Sequence, residues 1–158
     1  MMAAELDAAL RPVAFLLGSW RGEGAGEYPT IKPFDYLEEV RFWHVGKPFL
    51  LYTQKTQSPD DGRPLHSEMG YLRMTSQGPE PVIAQGIGVA EVEVGSVDGN
   101  RLELHSTQVL LTPTAKPIKS VARSIWLEGD VLRYRLRMAL GDRALTHHLS
   151  ASLCRVSD

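Results

Sequence analysis

From Gly18 onward the chain alternates apolar and polar positions in short runs. The alternation is clearest in 131–140, where Leu132, Tyr134, Leu136, Met138 and Leu140 share one face and Arg133, Arg135 and Arg137 the other. Strand side chains point to opposite faces with period two, so this run predicts a half-buried β-strand. Residues 101–110 repeat the pattern, with Leu102, Leu104, Ser106, Gln108 and Leu110 placed inward against Arg101, Glu103 and His105. Turn-forming clusters separate such runs: Tyr28-Pro29, Ile31-Lys32-Pro33, Val45-Gly46-Lys47-Pro48, Ser58-Pro59-Asp60-Asp61-Gly62, Ser76-Gln77-Gly78-Pro79, Asp98-Gly99-Asn100, Glu128-Gly129-Asp130 and Gly141-Asp142. About ten strands of roughly 8–12 residues follow, which predicts an all-β fold, a ten-stranded antiparallel up-and-down β-barrel. Ahead of them Leu6, Leu10, Val13 and Leu17 recur at near-helical spacing, broken by Pro12. That predicts a short, interrupted helical segment covering the first strand.

The expected organisation is one domain over 1–158, with the helical segment at 3–16 and the barrel at 17–156. Its first strand carries Gly18, Trp20, Gly22 and Gly24 at every second position, hence on one face. One bulky ring among missing side chains marks a place where other backbone comes close. Trp20 is expected to plug the narrowing end of the barrel while the glycines let the strand bend. Ser106 and Gln108 on an inward face are costly unless a cavity supplies partners, and a barrel of this size can hold one small ligand.

Composition narrows the function classes. A net charge of −2 gives no electrostatic case for nucleic acid or an anionic membrane. No apolar run approaches the roughly 20 residues of a membrane-spanning helix. Glu5 and Asp7 stand where a signal peptide would be positive, and Cys154 is the lone cysteine, so a cytoplasmic protein without disulfides is expected. There is no G-x-S-x-G elbow, P-loop or H-E-x-x-H. Glu38 and Glu39 are neighbours, so in a strand they face opposite ways and cannot act as a paired acid and base.

The G-x-W element of the first strand is shared with lipocalins and fatty-acid-binding proteins, barrels of the same general kind. Followed by Tyr28-Pro29-Thr30-Ile31 and Tyr36-Leu37-Glu38-Glu39, the segment 17–56 resembles the opening of the nitrobindins, small haem-binding β-barrels. The likeness continues through 65–73, Ile83-Ala84-Gln85-Gly86 and His148-Leu149-Ser150-Ala151-Ser152-Leu153. It implies a ferric haem b protein that isomerises peroxynitrite to nitrate and binds nitric oxide, with one histidine of the last strand on the iron. The alternatives are a non-enzymatic carrier of a lipid or other small molecule, and a haem or nitric oxide sensor. The oligomeric state stays open between monomer and homodimer.

Parity and resemblance disagree over the iron ligand. Leu145, His147, Leu149, Ala151 and Leu153 form the apolar face of the last strand, which turns His147 inward and His148 outward. The family's ligand immediately precedes the Leu of an H-L-x-A-x-L segment, which points to His148 as metal ligand and catalytic residue. The two agree if the N-terminal segment covers the apolar face and Thr146, Ser150 and Ser152 line the cavity. By the same resemblance His66 falls on the distal side of the haem, and Leu65, Gln85 and Met138 line the pocket. Lys116, in a turn, is a candidate propionate partner, and Thr30 a candidate hydrogen-bonding group at the same rim. His44 and His105 are expected to be structural or exposed.

Overall fold

The computed structural model describes residues 1–157. Ten strands follow one helix: β1 Gly18–Tyr28, β2 Ile31–His44, β3 Phe49–Gln57, β4 Pro64–Thr75, β5 Gly78–Gln85, β6 Val89–Asp98, β7 Arg101–Leu111, β8 Ile118–Glu128, β9 Val131–Leu140 and β10 Thr146–Val156. Each pairs antiparallel with its neighbours in sequence, and β10 returns to β1, closing the barrel. Closure leaves no free sheet edge at the ends of the chain, which is how an all-antiparallel sheet avoids edge-to-edge association.

The N-terminal segment forms one 3₁₀ helix, Ala8–Leu16, rather than two separate turns. Asp7 caps it by accepting from the Ala9 amide at 2.9 Å, and Pro12 lies inside it. Its Leu10, Val13 and Leu16 are fully buried against Trp20, Leu50, Leu102 and Leu153. Trp20 is 1% exposed and donates its indole N–H to the Leu16 carbonyl at 2.8 Å. Arg155 stacks 4.2 Å above the Trp20 ring and donates to the Leu17 and Phe15 carbonyls. Helix, tryptophan and arginine together make the floor of the barrel.

The glycines of β1 let neighbouring groups in. A Cβ on Gly22 would collide with the Ser152 backbone oxygen of β10, and one on Gly24 would sit inside the Tyr36 ring. Pro33 does not end a strand. It lies in the first residues of β2, ahead of Leu37 where pairing with β3 begins, so its missing N–H breaks no ladder bond there.

Alternation fails at one place in β7. Ser106 pairs with Glu93 and Gln108 with Val92, so Thr107 is an extra residue with no partner. Beyond such a bulge the faces exchange. Gln108 and Leu110, read as inward, are therefore exposed, and Val109 packs against the buried Val89, Ile118, Val121 and Leu136. Ser106 turns its hydroxyl to the neighbouring strand and accepts from the Val121 amide at 2.9 Å. It seals the wall and is no ligand contact.

Candidate functional site

A cavity of about 750 Å³ runs from the open end of the barrel toward the floor. Its lining changes character with depth. Around the mouth stand Leu65 and His66 at the start of β4, Gln85 at the end of β5, Ile118 and Val121 on β8, Met138 on β9, and His148 and Leu149 on β10. Midway lies a polar belt of Tyr36 and Glu38 from β2, Tyr52 and Gln54 from β3, Glu68, Arg123 and Tyr134. Below it Val40, Phe42, Ile125, Leu132 and Leu153 lead down to the apolar floor.

The strand register explains how His148 reaches the mouth. His147 pairs with Arg137 and Leu149 with Leu136, leaving His148 as the added residue of a second bulge. Two consecutive side chains, His148 and Leu149, consequently line the same cavity, and Ala151 and Leu153 continue inward below them. Parity was misleading because it assumed an unbroken strand. The covering of the apolar face by the N-terminal segment is not needed, and Thr146, Ser150 and Ser152 are not among the lining residues.

His148 is fixed from two sides. Its Nδ1 lies 2.9 Å from the Glu27 carbonyl oxygen. A carbonyl only accepts, so Nδ1 carries the proton and Nε2 keeps a lone pair. The Tyr28 ring meets the imidazole edge-on at 5.5 Å. Tyr28 is itself locked: its hydroxyl donates to the Met138 carbonyl and accepts from the Leu140 amide. Burial pushes the His148 imidazole down from its ordinary pKa, against the Glu27 hydrogen bond, with the charges of His147, His66 and Lys116 adding to the fall. The neutral form of the ring is thereby favoured.

The polar belt is a linked set of carboxylates around one cation. Arg123 donates to Glu68 Oε1 at 2.8 Å and to Glu91 Oε2 at 2.7 Å. Gln85, at the mouth, donates to that same Glu91 oxygen at 2.6 Å. Glu68 also accepts from Tyr52 and faces His66 Nε2 at 3.3 Å. Burial alone would raise the Glu68 pKa, but the Arg123 charge and the bonds from His66 and Arg123 outweigh it and hold the group far below its ordinary range. Glu93 fares differently. Its 3.5 Å approach to Arg123 Nε makes no hydrogen bond, and burial pushes it up to about 7. Glu38 is likewise pushed up to about 7 by burial, only partly offset by the Gln54 amide at 2.6 Å and the Tyr134 hydroxyl at 2.8 Å. Both of these donors reach Glu38 Oε2, and Oε1 is buried without a partner.

Of the residues singled out from the sequence, His148, Leu65, His66, Gln85 and Met138 come together on one cavity. Thr30 and Lys116 do not line it; both are exposed, in the turns that precede β2 and β8 at the His148 end. Trp20 belongs to the floor, with Gly18 and Gly22 in the wall beside it. Gly24 bears on the cavity only by admitting Tyr36. The belt was missed. For Tyr36 and Glu38 the signal was present, since they share the inward face of β2 with Val40 and Phe42. For Glu91 and Glu93 it was not, because Val92 and Val94 offer a more apolar alternate face.

Comparison with known proteins agrees with this geometry. Residues 9–155 match the family model described as "THAP4-like, heme-binding beta-barrel domain". The chain is 50% identical over 161 residues to peroxynitrite isomerase 2 of Mycobacterium ulcerans, covering 99% of this chain and all of the relative. It is 51% identical over 162 residues to peroxynitrite isomerase 1 of Mycobacterium tuberculosis H37Rv, covering 98% and 99% of the two. The crystal structure of Rv2717c from M. tuberculosis superposes with a TM-score of 0.92 at 50% identity, covering 97% of this chain and 100% of that one. The nitrobindin-like character read from the sequence stands, and the chain belongs to the THAP4-like, heme-binding beta-barrel domain family.

Proposed function

We propose that the chain binds one haem b in the cavity mouth through His148 and, in the ferric state, isomerises peroxynitrite to nitrate; nitric oxide is a second ligand of the same site. The carrying observation is the His148–Glu27 hydrogen bond, which presents a neutral imidazole with its Nε2 lone pair at the edge of a large cavity. The other lining fits the same group: apolar Leu65, Ile118, Val121, Met138 and Leu149 suit a macrocycle's faces. Lys116 and Thr30, in exposed turns near that mouth, would meet propionates in water. One haem per chain, with 1–158 acting as a single domain, follows from this reading.

Held there by His148, a ferric haem would supply a Lewis-acid iron for the peroxynitrite anion. The protein's residues do the rest. Glu27 and Tyr28 keep the imidazole in one orientation and one tautomer. Leu65 and Met138 give the mouth apolar walls that would confine a small anion beside the haem. A lipid-carrier reading is disfavoured by the belt, because an acyl chain reaching the floor would strip water from Glu38, Glu68 and Arg123 and give nothing in return.

Mixing the haem-loaded ferric protein with peroxynitrite in stopped flow tests the proposal. Decay should accelerate, the nitrate-to-nitrite ratio should rise, and nitration of added tyrosine should fall. Decay no faster than in buffer, with haem fully loaded, would reject the isomerase reading and leave a nitric oxide carrier.

A further inference from the structure

His66 stands at the cavity mouth with its ring tied inward. Its Nε2 faces Glu68 Oε2 at 3.3 Å, while Oε1 of the same carboxylate accepts from Arg123 Nη1 and from the Tyr52 hydroxyl, each at 2.8 Å. Arg123 is anchored from behind by Glu91 at 2.7 Å. Glu68 and Arg123 are both buried, at 6% and 8% exposure. A carboxylate clamped in this way can accept hydrogen bonds and has none to give. The nitrogen that faces it must carry the ring proton. In a neutral imidazole the other nitrogen, Nδ1, is then a bare lone pair.

We propose that Glu68 is a specificity-determining positioning residue, holding the N–H of His66 on the buried belt and so withholding it from a ligand bound at the cavity mouth. The inference rests on reading this cavity as the haem site. It accounts for a histidine at the mouth of a cavity whose chemistry has no use for a nearby acid. Rearrangement of peroxynitrite to nitrate neither gains nor loses a proton. Heterolysis of hydrogen peroxide, by contrast, needs a proton delivered to the departing oxygen, the task of a distal general acid. Glu68 therefore favours the rearrangement to nitrate over peroxidase-type chemistry.

Glu68→Gln should reverse the polarity of the contact. Arg123 Nη1 and Tyr52 both donate to the Oε1 position at 2.8 Å, against a single 3.5 Å contact from Arg123 Nη2 to Oε2, so the amide oxygen takes Oε1 and the amide nitrogen falls opposite His66 Nε2. That N–H donates to Nε2, and the ring proton moves to Nδ1. Long-range ¹H–¹⁵N spectra of the haem-free full-length chain, recorded at about pH 8, read this directly. The expected result is Nε2–H in the unsubstituted protein and Nδ1–H in Glu68→Gln. In the haem-loaded ferrous protein, the C–O stretch of bound carbon monoxide reports a distal donor. In the unsubstituted protein it should lie no lower than in His66→Leu, and it should move to lower wavenumber in Glu68→Gln.

An Nδ1–H tautomer in the unsubstituted protein would overturn the proposal, as would a stretch that His66→Leu displaces to higher wavenumber. Both measurements hold even if Glu68→Gln does not fold. Failure to take up haem would reject the functional reading instead, and the tautomer result would still decide the role of Glu68.

Discussion

At His148 two demands on one strand conflict. A barrel wall needs alternate side chains inward, and the site needs an imidazole beside an inward leucine. The bulge satisfies both, and Glu27 and Tyr28 then fix the ring that it delivers. His147, one residue earlier, keeps its ordinary pairing with Arg137 and does not line the cavity. His148→Ala should therefore lose haem or show a displaced Soret band, and should lose the acceleration of peroxynitrite decay. His147→Ala should keep all of these. The opposite outcome would return the ligand to the residue that simple alternation favours.

At the scale of elements, β1 and the 3₁₀ helix close one end so that the other can stay open. Trp20→Ala removes the largest fully buried side chain along with its bond to Leu16, and should cost about 3–5 kcal/mol. Gly22→Val should also destabilise, by forcing β1 away from the Ser152 backbone. Urea midpoints compare the three proteins, and unchanged values in both variants would remove β1 from its closing role. The strands that read most plainly in the sequence are those whose alternation is unbroken, such as β9, where Leu132, Tyr134, Leu136 and Met138 all line the cavity. β7 reads correctly only up to its bulge and β10 only beyond it, because an added residue leaves no mark in composition and exchanges the faces on its two sides. β6 misreads for another reason. Its Glu91 and Glu93 are fully buried while Val92 reaches solvent, since Arg123 from β8 compensates charges that β6 alone cannot reveal. The mouth was legible through family likeness, whereas the belt depends on pairings across the barrel.

For the molecule as a whole, the belt sets how stability varies with pH. Glu38 and Glu93 are pushed up to about 7 from the ordinary 4.5. Between those values the folded chain keeps protons that the unfolded chain has released. Their contribution to stability is full below about pH 4.5 and is lost as pH rises through about 7. Glu68 has the opposite sense, its contribution being present above the ordinary carboxylate range and lost only in strong acid. Glu38→Gln keeps the shape and neutrality of the protonated acid, so it should flatten the decline between about pH 4.5 and 7. At about pH 8 it should stabilise by on the order of 1–3 kcal/mol. Denaturant titrations across this range check the sign, and a steeper decline in the variant would contradict the assignment.

The added residue in β10 also bears on descent. Removing His148 from the chain, rather than exchanging it, would bring the pairings of His147 with Arg137 and Leu149 with Leu136 into one uninterrupted ladder. The wall would be more regular than before, and the cavity would lose the one imidazole that the Glu27 carbonyl holds at its mouth. A single in-frame codon loss at this point would therefore take away the proposed haem ligand while leaving the ladder on either side in register.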